Sequence, residues 1–213
     1  MQGLYTHLLH NLLYNEQMDY KEKKFNIPEL EGISQKSVEE HLGLYAGYVK
    51  NFNDISKLLP EYAKDSQSHA HALSELIRRR SFEFDGMRLH ELYFEQFEIG
   101  ATPQRSTGAF AKQVEVEYMK FEHLVGYLTA IAKMRGPGWA VLYWDPEVKQ
   151  FLAGFVGEQH QGHLATLPII LALDVWEHAF LLDYGAGGKG KYIDAFFKNL
   201  NWSVVEKRFG NSR

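Results

Sequence analysis

The sequence predicts an α+β fold, with an N-terminal helical hairpin followed by a C-terminal α/β domain holding a small three-stranded antiparallel sheet. Two long segments in the first half, about 34–59 and 66–97, carry apolar residues at helical spacing. The stretch "GATPQRSTG", from Gly100 to Gly108, then interrupts the chain with the strongest loop signal it contains. Beyond residue 135 the texture changes to short apolar runs of strand character. These observations divide the chain into an N-terminal extension (1–26), a helical hairpin domain (27–104) and an α+β domain with the three-stranded sheet (105–213).

The first stretch, to about Asn26, spaces Leu and Tyr as an amphipathic helix would and then turns charged, which reads as an extension packed on the surface. Ser34 or Ser37 can cap the first long helix, and Val38, Leu42, Tyr45, Val49, Phe52 and Ile55 give it one packed face. The segment from about Ser66 to Phe97 is its natural antiparallel partner. A third helical segment is predicted from Ala109 to Met134, stopped by "RGPG". "WAVLYW" and "FLAGFVG", joined by the turn-like "DPEVKQ", predict a β-hairpin, and "LPIILAL" predicts a third, buried strand. Helical pattern returns at Lys191 to Asn199 and at Ser203 to Arg208.

Composition narrows the function classes. A chain of 213 residues with 45% apolar and 23% charged side chains is that of a globular protein able to bury a core without staples. The formal charge of −4 gives no electrostatic case for nucleic acid, and the triplet Arg78-Arg79-Arg80 reads as a solvated helix face. No segment reaches the length of a membrane span, and the N-terminus lacks a basic leader, so a cytoplasmic location is expected. With no cysteine, disulfides, iron–sulfur clusters, thiolate metal sites and cysteine nucleophiles are excluded. A metal must therefore be held by nitrogen and oxygen.

Of the ten histidines, His7, His10, His69, His71, His123 and His163 sit without a suitably spaced carboxylate in an apolar context, and read as surface or packing residues. Three others differ. His41 precedes Tyr45 by one helical turn and Tyr48 by two, so the three share a face. His90 is flanked by apolar and aromatic residues, with Gly86 one turn earlier leaving a hole in the packing. In "LDVWEHAFLLDYG", at the end of the third strand, His178 follows Asp174 by four residues and has a second acid, Glu177, beside it. Burying such charges is costly unless they are paired or bind a metal. Together these residues can converge on the crevice between the two halves.

These segments carry a resemblance. "DVWEHAF" resembles the signature D-x-W-E-H-A-Y of the iron/manganese superoxide dismutase family. "EEHLGLYAGYVKNFN" and "DGMRLHELYF" are similar to the family's two ligand-bearing helices, "GPGWAVL" to its G-x-G-W strand entry, and "KYIDAFFKNLNW" to its C-terminal helix. The match runs in consistent order from about Ile27 to Arg208. It implies His41, His90, Asp174 and His178 as metal ligands, Tyr48 as the pocket tyrosine, and Trp139 and Trp176 as apolar walls. Glu177 would reach across a dimer to His178 of the partner subunit, so a homodimer or dimer of dimers is implied. The implied reaction disproportionates superoxide to dioxygen and hydrogen peroxide by proton-coupled redox cycling of one ion per subunit. Gly86 and a glutamine drawn from "GEQHQGH" favour manganese over iron; Gln159 fits that place, and His160 is the alternative.

The chain also departs from the family pattern. The spacing from His41 to Tyr48 is one residue shorter than usual, implying either a small kink in the helix or a different ligand, with Glu40 the weaker candidate. Phe180 stands where the family has tyrosine, and Tyr45 where its cross-subunit histidine partner is expected. Lys189 is the nearest replacement for an arginine at the substrate entrance. Ligand chemistry alone leaves other classes open: a non-haem Fe(II) oxygenase, a zinc hydrolase, or an inactive metal-binding homologue with a structural role.

Overall fold

The computed structural model describes residues 19–104 and 107–212. The helical pattern read in the first stretch lies largely outside these residues. Its described end, from Asp19, runs as an irregular strap along the first helix, with Tyr20 N–H bonded to Asn53 Oδ1 and Phe25 packed between the rings of Tyr45 and Phe94.

Helix α1 spans Gln35–Ala63 and α2 spans Ala70–Glu95. Ser34 caps α1, its side chain accepting the N–H of Ser37 at 3.1 Å. The two helices are antiparallel, because contacts descend along α2 as they climb α1: His41 meets Phe94, Tyr45 meets Glu91, and Phe52 meets Phe84. The predicted single helix 109–134 is instead two, α3 (Ala109–Tyr118) and α4 (Phe121–Ala132). Met119 takes φ of 63° and Lys120 is extended, which ends one helix and opens the next. Packing imposes that turn. It lets Phe121 meet Trp202 and carries Leu124, Leu128 and Ala132 into the core, a reward that helical periodicity does not register.

Strands β1 (Gly138–Asp145), β2 (Gln150–Gly157) and β3 (Ile169–Asp174) form the predicted antiparallel sheet in the order β2-β1-β3. β1 is central and buried from Gly138 to Trp144, so it reads as a continuous apolar run rather than an alternation. After β3 come a 3₁₀ turn (Glu177–Ala179), the short α5 (Leu181–Tyr184), α6 (Lys189–Asn199) and α7 (Trp202–Asn211). Among the described residues no helix is long and apolar enough to cross a membrane.

One buried amide joins the two halves. Gln96, just past α2, is fully buried; its side chain donates to the Ala172 carbonyl at 2.7 Å and accepts the Ala172 N–H at 3.0 Å. It behaves as an extra backbone unit beside β3, and so sets the level of α2, with His90, against the strand that ends in Asp174.

Candidate metal centre

The four residues expected as metal ligands meet at one point. His41, His90, Asp174 and His178 each offer one ligand atom, and these atoms lie within 4.8 Å of one another. Asp174 Oδ2 is 3.1 Å from His41 Nε2, 3.2 Å from His178 Nε2 and 3.7 Å from His90 Nε2. Its other oxygen accepts the Trp176 N–H at 2.8 Å, a turn that fixes the carboxylate as β3 ends. His90 Nδ1 lies 2.6 Å from the Gly86 carbonyl, which can only accept, so Nδ1 carries the hydrogen and Nε2 presents a lone pair. That Nε2 is buried with no hydrogen-bond partner among the described residues. An imidazole so oriented, its lone pair aimed at a carboxylate oxygen shared by two other imidazoles, fits a cation with nitrogen and oxygen ligands.

The electrostatics suit the same purpose. Burial would push the Asp174 carboxyl up, but the charge and hydrogen bonds of His178 and His41 outweigh it and hold the group well below the usual carboxylate range. Burial, reinforced by the neighbouring His41, pushes His90 down to about 3, and burial also lowers His41. His178 is raised: burial opposes its charge, yet the adjacent Asp174 carboxylate prevails. An ionised carboxylate beside buried neutral imidazoles is the state that a metal requires.

A chain of hydrogen bonds borders the cluster. Trp139, fully buried on β1, donates from Nε1 to Gln159 Oε1 at 2.8 Å, and Gln159 Nε2 donates to the Tyr48 hydroxyl at 2.8 Å. Trp139 meets the His90 ring edge-on at 5.1 Å between centroids, and Trp176 stacks on His178 at 5.8 Å. The hole beside Gly86 is filled by the Tyr48 ring. Gln159, fully buried, is the residue that bonds to Tyr48; the His160 ring instead lies against Phe82 at 5.5 Å.

The remaining sequence expectations fall as follows. α1 is assigned as one continuous α-helix from Gln35 to Ala63, so no break falls between His41 and Tyr48. Seven residues turn a regular helix through roughly 700°, about 20° short of two full turns, so His41 and Tyr48 share a face directly. Glu40 lies outside the cluster, mostly exposed and 3.8 Å from Lys36. Tyr45 is buried, donates to Glu91 Oε1 at 3.2 Å and accepts the Lys23 N–H at 2.8 Å, so it braces α1, α2 and the N-terminal strap. Phe180 is buried against Tyr192. Glu177 is exposed, and Lys189 is half-buried with Nζ donating to the Met134 carbonyl. His163, read as a surface or packing residue, lies directly behind Gln159. Its only signal in the sequence was its distance of four residues from Gln159.

Three imidazoles and one carboxylate at the junction of a helical pair and a sheet, bordered by Trp, Gln and Tyr, define a mononuclear metalloenzyme of the nitrogen–oxygen ligand class. Residues 106–208 match the family model "Iron/manganese superoxide dismutases, C-terminal domain". The chain is 31% identical over 198 residues to the iron superoxide dismutase of Saccharolobus solfataricus, covering 87% of this chain and 93% of that relative. It is 33% identical over 186 residues to the iron superoxide dismutase of Aquifex pyrophilus, covering 84% and 85% of the two chains. To the manganese superoxide dismutase of Haloarcula marismortui it is 33% identical over 172 residues, covering 79% and 80%. The chain belongs to the iron/manganese superoxide dismutase family.

Proposed function

We propose that this chain disproportionates superoxide, converting two superoxide anions and two protons into one dioxygen and one hydrogen peroxide, with one iron or manganese ion held by His41, His90, Asp174 and His178. The observation that carries the reading is the buried Asp174 oxygen faced by three imidazole nitrogens, one of them without a hydrogen-bond partner among the described residues. Two of these ligands come from the segment 27–104 and two from 105–213, which supports treating those segments as two domains that meet at the site. A bound ion of either kind would supply one-electron chemistry in both directions.

The protein's own residues supply the rest. Asp174 stays ionised and reduces the charge of the buried ion, while Trp139 and Trp176 wall the site against water. Burial holds the Tyr48 phenol well above its ordinary value, so its hydroxyl remains protonated; it accepts from Gln159 and keeps its own hydrogen to donate. Tyr48 is partly exposed, and so can hold a proton at Oη between solvent and the pocket. The Gln159 amide has a second N–H with no partner among the described residues, available to a solvent molecule at the metal. Gln159 bonded to Tyr48, with Gly86 making room for that ring, is the arrangement that the family resemblance associates with manganese, and manganese is the metal we propose over iron. Lys189, placed to feel the charges of Asp174 and Glu177, supplies local attraction for an anion on a chain of net charge −4. The exposure of Glu177 beside His178 supports its role as a brace for His178 of the partner subunit in a homodimer.

Elemental analysis of the purified protein, paired with a superoxide dismutation assay, tests the reading. About one iron or manganese per chain, with activity that scales with that content, is expected. Zinc without activity would overturn it.

A further inference from the structure

Gln159 is held by its backbone as well as by its side chain. It lies in a three-residue loop closed by a pair of bonds between Gly157 and Gln161, from Gly157 N–H to the Gln161 carbonyl at 2.8 Å and from Gln161 N–H back at 3.0 Å. Entering that loop, Glu158 takes φ of 51°, a left-handed conformation that a residue with a side chain adopts only under constraint. The constraint is visible on the two successive carbonyls. Trp176 Nε1 donates to the Glu158 carbonyl at 3.2 Å, and His163 Nε2 lies 3.1 Å from the Gln159 carbonyl.

The protons in this arrangement can be assigned by chemistry. A carbonyl oxygen only accepts, so His163 Nε2 carries the hydrogen. His163 Nδ1 is 3.0 Å from the Tyr143 hydroxyl, which can hydrogen-bond to it as donor or acceptor and so fixes the ring from its other side. Tyr143 stands four residues along β1 from Trp139, and both are buried on that strand. The central strand therefore reaches Gln159 twice, through Trp139 to its side-chain oxygen and through Tyr143 and His163 to its main chain.

We propose that His163 is a positioning residue for the dismutation: by anchoring the Gln159 carbonyl it fixes how far the Gln159 amide reaches toward the metal ligands, and so tunes the reduction potential of the bound ion. The inference rests on the reading that Gln159 acts on the metal. An amide held close to metal-bound solvent changes the relative stability of the two oxidation states, and a loop free to retract weakens that effect. His163 touches none of the four ligands, so the effect passes through Gln159 alone.

The test is a double-mutant cycle on the metal-loaded protein, with the reduction potential and metal content measured for wild type, His163→Ala, Gln159→Leu and the double variant. His163→Ala is expected to keep its metal, shift the potential in the same direction as Gln159→Leu, and lower turnover roughly tenfold, as removal of an outer partner commonly does. In the Gln159→Leu background the same change should shift nothing further. His163→Gln, which returns an N–H near the carbonyl, should recover most of the wild-type potential. If Gln159→Leu moves the potential and His163→Ala does not, this inference fails and the reading of Gln159 survives. If His163→Ala shifts the potential equally with and without Gln159, it acts by another route and the inference is overturned. If Gln159→Leu moves nothing, the reading falls and takes this inference with it. Should His163→Ala not fold, Tyr143→Phe replaces it in the cycle; a smaller shift in the same direction is expected, and none would refute the proposal.

Discussion

A Cβ atom built on Gly86 would lie 2.5 Å from Cδ1 and 2.7 Å from Cε1 of the Tyr48 ring, so the bare backbone of α2 is what lets that ring lie beside His90. Gly86→Ala must displace Tyr48 or α2. Alanine is otherwise favoured over glycine inside a helix by about 1 kcal/mol, which offsets part of the strain. The expected outcome is a fold and metal content close to wild type with roughly tenfold lower turnover, because the displaced phenol no longer receives the Gln159 N–H. Steady-state dismutation per metal ion checks it, and unchanged turnover would show that the placement of Tyr48 is not needed.

Tyr45 supports a prediction of the opposite kind. Its hydroxyl links the Lys23 backbone to Glu91, whose carboxylate is also paired with Lys23 at 3.0 Å and Arg88 at 2.7 Å. Tyr45→Phe keeps the ring in the core and removes one donor and one acceptor, leaving Glu91 two cationic partners. A loss of about 1–2 kcal/mol of unfolding free energy is expected, the ordinary worth of such bonds. Turnover per metal ion should stay within about twofold of wild type. Urea unfolding and the same assay separate the two effects; a large fall in turnover with normal stability would give Tyr45 a part in the reaction itself.

The contrast between Tyr45 and Gly86 shows what the sequence made legible. The helical pair, the sheet and the pairing of Asp174 with His178 could be read because each depends on local spacing: apolar periodicity for α1 and α2, short apolar runs for the strands, and a four-residue step; His41 and His90 joined them as a ligand set through the family resemblance. Residues whose roles depend on partners far along the chain were not legible in the same way. Tyr45 shares a face with His41, but only folding brings Lys23 and Glu91 to it. His163 has no carboxylate at a telling spacing, and its role arises because a loop folds back on itself beside β1. The break at Met119 carries no local signal for a related reason, since tertiary packing, not propensity, sets a positive φ there.

Gln96 provides a test of how the two halves are aligned. Replacing it with Leu would leave the Ala172 N–H and carbonyl without their side-chain partner in a buried setting. Each such group costs about 1–3 kcal/mol, so Gln96→Leu should lower stability by roughly 2–6 kcal/mol. Because α2 then loses its tie to β3, His90 and Asp174 lose registration, and metal affinity should fall in parallel. Competition with a chelator measures that fall. Stability lost without any change in affinity would mean that packing alone aligns the helix with the strand.

The last prediction concerns the metal-free protein in acid. His90 is held neutral down to about 3 by burial and by its neighbour His41, and His41 is lowered as well. In the unfolded chain both imidazoles titrate near their ordinary value of about 6.5. Between those limits the unfolded state binds more protons than the folded one, so stability falls as pH falls, by about 1.4 kcal/mol per pH unit for each proton of difference. His178 has the opposite sign. Its raised value gives a contribution that is complete below its unfolded pKa and is lost as pH rises through the folded one, so it adds no slope in acid. Asp174, held below the usual carboxylate range, contributes above its unfolded value, and that contribution is lost only at still lower pH. Urea unfolding of the metal-free protein at pH 4, 5 and 6 should therefore show a slope of at least about 1.4 kcal/mol per pH unit, reduced by that amount in His90→Gln. An equal slope in the two proteins would show that His90 takes up its proton without unfolding.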